Sequence, residues 1–170
     1  MNFYTTNGTP DFMERLIEKY PNEQLLLVHG ESGKSAVFHE TMGKTVFASP
    51  HKYTVKDAHG QLEQRGYFVL YHLTVEGSSR EIFFNHFSNV RDALQSEDLL
   101  LAFRLLEPKR SSEQIVFLTQ WVGPALYEAW IQSNSYTENF SKLLNVQTSS
   151  VQKIFEVDSY ISKYIAAKAE

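Results

Sequence analysis

Six histidines carry most of the chemistry this chain can offer, and their spacing narrows what that chemistry is. They stand at His29, His39, His51, His59, His72 and His86, and none follows. No HExxH or other paired-ligand spacing occurs, so the residues do not propose a zinc site. Cysteine is absent, which removes disulfides, thiolate catalysis and thiolate-ligated haem. No GxSxG elbow is present and no serine is set beside an activating base. Carboxylates fall mostly on expected solvent faces, so no acid/base pair stands out. Gly30-Glu31-Ser32-Gly33-Lys34-Ser35 ends like a phosphate-binding loop, but Val28 occupies the place of the required leading glycine. The residues after it, SAVFHE, read as a strand, whereas such a loop must open a helix; a hairpin turn is expected. His29 and His39 lie on the two strands of that hairpin, where they either meet or stand as partly solvated strand histidines.

The remaining polar candidate is His72. It sits in the apolar run YFVLYHLTV, Tyr67 to Val75, and shares a strand face with Leu70 and Thr74. On a buried face it needs a partner, either a neighbour or a ligand. Trp130 is the second candidate, on a later helix, with a core role as its plain alternative.

The elements that position these residues are legible from periodicity. Tyr67 to Val75 is β-branched and aromatic enough to be a strand buried on both faces. Glu76-Gly77-Ser78-Ser79 breaks it, and from Arg80 to Gln95 apolar residues recur at helical spacing, at Ile82, Phe83, Phe87, Val90 and Leu94. Leu99 to Leu106 and Gln114 to Trp121 return to strand character around the turn-prone Pro108 to Ser112. Gly123-Pro124 opens a second helix whose stripe is Leu126, Tyr127, Trp130 and Ile131. Val151 to Ile165 supplies a last strand. This is a ferredoxin-like α+β unit, an antiparallel sheet with helices on one face.

The first third imitates it. Asn2 to Thr6 is a strand, Thr9-Pro10 caps and starts a helix with apolar face Phe12, Met13, Leu16, Ile17 and Tyr20, and Gln24 to His29 and Ser35 to Glu40 are strands. EQLLLVHG, Glu23 to Gly30, resembles EDLLLAFR, Glu97 to Arg104, so two related half-units follow each other. Residues 1–64 form the N-terminal half-unit and a connector over Thr45 to Gln64, partly a strand at Tyr53 to Val55; residues 65–170 form the second domain. The N-terminal unit then extends the sheet into a barrel-like assembly, giving a monomer through the internal repeat or a homodimer. At 170 residues the chain can bury a core, and its net charge of -4 with scattered basic residues does not ask for nucleic acid. The N-terminus lacks a basic start and apolar stretch, and no apolar run approaches the ~20 residues of a membrane helix, so a cytoplasmic protein is expected.

QWVGPALYEAWIQSNSYTENFSK, Gln120 to Lys142, resembles the strand-to-helix signature of the antibiotic-biosynthesis-monooxygenase (ABM) superfamily, in particular its small IsdG-type haem-degrading monooxygenases. The resemblance runs from Tyr67 to about Lys142. NFYTTNGTPDF and FHETMGKTVFASPHKY extend it to the longer members of the HmoB and TRAP kinds. It implies a haem-degrading monooxygenase, with haem as substrate and cofactor, dioxygen, and an external electron donor. In such enzymes an Asn on the first strand, a helix Trp and a His ten residues later surround haem. Here the Trp is kept as Trp130, the Asn position falls at His72, and the ligand His position falls at Phe140. Phe cannot donate to iron, so the resemblance leaves His72 as iron ligand or oxygen-positioning group, with Tyr71, His86 and Tyr136 as further iron or propionate partners. Its alternative is a TRAP-type signal-transduction protein that binds a ligand without catalysis. The haem reading requires a greasy hollow between sheet and helices that both Trp130 and His72 touch.

Overall fold

A computed structural model of the chain describes residues 1–98, 100–141, 143 and 159–168. Eight strands are present among them: β1 (Asn2–Gly8), β2 (Leu25–Gly30), β3 (Ser35–Thr41), β4 (His51–His59), β5 (Tyr67–Leu73), β6 (Leu100–Pro108), β7 (Ile115–Trp121) and β8 (Tyr160–Ala166). Helices α1 (Pro10–Lys19), α2 (Arg80–Gln95) and α3 (Pro124–Ile131) lie between them, and a π-helical turn spans Tyr136–Phe140.

The strands close into one barrel in the order β1-β3-β2-β8-β5-β7-β6-β4. All pairings are antiparallel. The N-terminal four strands run β4-β1-β3-β2 and the C-terminal four run β8-β5-β7-β6, which is the same order counted within each half. Two seams join the halves: Val28 lies opposite Ala166, and Tyr53 lies opposite Pro108. The expected extension of a ferredoxin-like sheet into a barrel is therefore observed. Its chemical basis is the alternation along the strands, which turns one set of side chains, mostly apolar, into the barrel and the other set outward under helices or to solvent.

Three cores result. Inside the barrel, Phe3, Phe38, Phe68, Leu70, Val116 and Leu118 pack together. Outside β5, β6 and β7, residues of the opposite parity meet α2, α3 and the π-helical turn. A smaller cluster, with Tyr4, Met13, Leu27, Val37 and Phe47, lies under α1.

Local expectations hold with definable exceptions. The helix over Arg80–Gln95 is found with those bounds. Ile82 is exposed, because Phe83, Phe87, Val90 and Leu94 already fill the buried stripe. Phe12 is likewise exposed on α1, where Met13 takes the buried position. Thr9 stands at the α1 N-cap, yet its side chain makes no capping bond. The largest difference is the connector: it holds a nine-residue strand, β4, which pairs with both β1 and β6 and completes the barrel. Gly, Pro and His at its ends obscured that strand, and partners on both sides supply what its own propensity does not. Gly30 to Lys34 is a hairpin turn, as read, closed by Gly30 N–H donating to the Lys34 carbonyl at 2.8 Å. In the expected last strand, residues 151–158 fall outside the described residues.

Candidate functional site

The parity of β5 decides how the proposed site residues are distributed. Tyr67, Val69, Tyr71 and Leu73 point outward under the helices, whereas Phe68, Leu70 and His72 point into the barrel. His72 and Trp130 are therefore on opposite sides of one sheet. The cavity that His72 borders is not lined by Trp130, so the expected hollow touched by both rings is not found there.

On the helix side the space is filled. Phe140, fully buried, has its ring centroid 4.8 Å from Tyr71, 5.4 Å from Phe117, 5.3 Å from Tyr136 and 5.7 Å from Trp130. Trp130 also meets Trp121 at 5.0 Å and stands edge-on to Tyr136 at 4.9 Å. On this outer face of β5, Tyr71, the strand neighbour of His72, is linked to Trp130 through Phe140, which both rings meet. Its hydroxyl is 2.5 Å from that of Tyr127, and burial pushes its phenol well above the ordinary range. The Trp130 Nε1–H is buried with no hydrogen-bond partner among the described residues.

This aromatic wedge does not fit haem. His86 is exposed on α2, His72 faces the other way, and Phe140 has no lone pair to offer iron. Among the described residues no cluster of three or more His, Asp or Glu could hold a metal ion.

On the inner side His72 has definite partners. Its Nε2 is 2.8 Å from Ser162 Oγ, and its ring stacks on Tyr160 at 4.2 Å with planes 9° apart. Burial, with the nearby His51 adding to it, lowers its pKa to about 4, so the ring is neutral at physiological pH. His72 borders a cavity of about 760 Å³ at the end of the barrel where β5 finishes and β8 begins. Phe38, Leu70 and Val116 form its apolar base, and His51, Tyr53 and Tyr164 join its wall. Towards the opposite end, the buried Arg104 bonds Glu40 and donates to the His59 and Phe103 carbonyls, closing the interior there.

Two arrangements escaped the sequence. His39 is fully buried on the outer face of β3, with Nδ1 3.1 Å from Thr45 Oγ1 and Nε2 3.2 Å from Glu23 Oε2. It does not meet His29, which bonds Ser35 Oγ at 2.6 Å. The Arg104–Glu40 pair joins strands that are 64 residues apart in the chain. Only its placement among apolar neighbours in LLAFRLL hinted that Arg104 is buried.

Topology defines the chain as an α+β protein of the ferredoxin-like class, with both halves of the barrel in one polypeptide. The resemblance carried by Gln120 to Lys142 holds at the level of fold. A protein described as the structure of a major regulator of staphylococcal pathogenesis superposes with a TM-score of 0.86 at 20% identity, covering 99% of this chain and 100% of that one. A monooxygenase-like protein from Listeria innocua superposes at 0.80 with 19% identity, over 99% and 95%. The heme-degrading enzyme LmHde of Listeria monocytogenes does so at 0.77 with 16% identity, over 98% and 100%. By sequence, the chain is 25% identical over 139 residues to the signal transduction protein TRAP of Staphylococcus aureus, covering 82% of each. No family model matches the chain. No helix among the described residues is long and apolar enough to cross a membrane.

Proposed function

We propose that this chain is a regulatory protein of the TRAP type, built on a monooxygenase scaffold whose haem-cleaving site has been filled. What supports this reading is Phe140: the sequence resemblance puts it at the position of the iron-ligating His, and its ring occupies the space between Tyr71, Phe117 and Trp130. A porphyrin would have to displace that ring and the π-helical turn that holds it, exposing aromatic area worth several kcal/mol. Neither His72, which lines the barrel interior, nor His86, exposed on α2, is placed to supply an axial bond in return.

The second reading is a haem-degrading monooxygenase with haem as substrate and cofactor, dioxygen, and an external electron donor. One observation favours it: the unpaired Nε1–H of Trp130, which costs about 1–3 kcal/mol if left without a partner. Titration with haemin separates the two. The regulatory reading expects no Soret band at micromolar haemin in the unaltered protein, and a band only in Phe140→His, which restores both a ligand and some room. A Soret band in the unaltered protein that bleaches with ascorbate in air and releases iron would replace it with the enzymatic reading.

A further inference from the structure

We propose that the end of the barrel bordered by His72 and Tyr160 binds an uncharged, flat aromatic molecule carrying a hydrogen-bonding group. The inference stands apart from the proposed function, since this cavity is separated from the helix-side wedge by the sheet itself.

The cavity is a consequence of closure. Each of the eight strands is paired on both sides, so the backbone fixes the width of the barrel and the end cannot collapse onto its contents. At the far end Arg104 and Glu40 fill the interior; at the near end about 760 Å³ is left, in the range that small molecules occupy. A base of Phe38, Leu70 and Val116 offers apolar contact. Around it stand the rings of His51, Tyr53, His72, Tyr160 and Tyr164. His72 and Tyr160 already stack on each other at 4.2 Å, so a flat guest extends this stack from an outer face instead of entering between the rings.

The charge pattern selects the class of guest. His72 is held neutral by burial, and the phenols of Tyr53 and Tyr160 are pushed up, chiefly by burial, so these three offer two hydroxyls and one imidazole without charge. Arg80, at the rim, donates through Nη2 to the carbonyls of Ser111 at 3.0 Å and Glu113 at 2.9 Å, which hold it in place and leave its charge. The carboxylates of Glu76 and Glu113 border the same rim. The carboxylates of Glu76 and Glu113 outnumber the single Arg80 guanidinium among the described lining residues, so an anion gains little at this rim, whereas a neutral aromatic keeps its apolar contact.

The probe pair N-phenyl-1-naphthylamine, uncharged, and 8-anilinonaphthalene-1-sulfonate, its near-isostere with a sulfonate, tests both halves of this. We expect saturable fluorescence enhancement by the neutral probe at micromolar concentration, at least tenfold weaker binding of the sulfonate, and a tenfold or greater loss for the neutral probe in Ser162→Tyr. Because that substitution can impair folding, the side-chain nitrogen resonances of the unaltered protein give an independent reading: the neutral probe shifts those of His51 and His72 and leaves His39 and His86 in place. Absence of saturable binding, equal affinity for the two probes, or undiminished binding to folded Ser162→Tyr would overturn the inference. So would shifts confined to the two indole N–H signals, which would put the probe under the helices. Haemin binding plays no part in these readouts.

Discussion

At the scale of single residues, His72 shows how one inward position changes the meaning of a side chain. As a neutral ring bonded to Ser162 it resists protonation, with its folded pKa about 4 against an ordinary 6.5. The unfolded chain takes up a proton between these values that the folded chain refuses, so stability is complete above about pH 6.5 and falls as pH drops towards 4. Between pH 7.5 and 5 the loss amounts to about 2 kcal/mol at most. Urea unfolding at the two pH values should show this difference in the unaltered protein. His72→Leu should shrink it by most of that amount, and an unchanged difference would mean that the ring is solvated in the folded protein.

At the scale of elements, the sequence read the helices and six of the strands well, because each carries its own periodicity. The Arg80–Gln95 stripe and the Gly123-Pro124 helix start are local statements, satisfied by i, i+3 and i, i+4 neighbours alone. β4 was largely missed because its stability comes from β1 and β6 on either side. The junction between β4 and β5 shows what such pairing demands. Gly66 has φ +80, and a Cβ there would lie 2.2 Å from the Trp121 carbonyl oxygen, while its own carbonyl accepts from Ala166 N–H at 3.0 Å. Gly66→Ala is therefore expected to cost more than about 2 kcal/mol, from the left-handed backbone and the forced separation of β5 from β7. Chemical denaturation measures it; Gly77→Ala, where a Cβ meets nothing within 4 Å, is the near-neutral comparison.

At the scale of the whole molecule, closure is the organising fact. The Arg104–Glu40 pair ties β6 of one half to β3 of the other inside the barrel, with Arg104 only 5% exposed. Glu40→Ala leaves that guanidinium without its carboxylate and should destabilise by about 3–5 kcal/mol. The solvent-exposed Arg65–Glu63 pair makes the contrast: Glu63→Ala should stay within about 0.5 kcal/mol. Thermal or urea unfolding of the two variants checks both. Because no strand of the closed barrel has an unpaired edge to offer a second copy, sedimentation should give the mass of one chain, 19.6 kDa. A dimer would show that an outer face, such as the exposed Ile161 and Ile165 on β8, recruits a partner instead.

What the sequence determined by itself is whatever depends on near neighbours along the chain: the helix stripes and the hairpin turn at Gly30 to Lys34. It also marked Phe140 as a departure from the haem-ligating pattern. Only the tertiary structure decided on which side of the sheet each candidate stands. A strand turns its side chains over at every residue, so Tyr71 and His72, adjacent in sequence, are separated by the thickness of a sheet. Which face became the lumen was fixed when the two seams, β2 to β8 and β4 to β6, closed the ring.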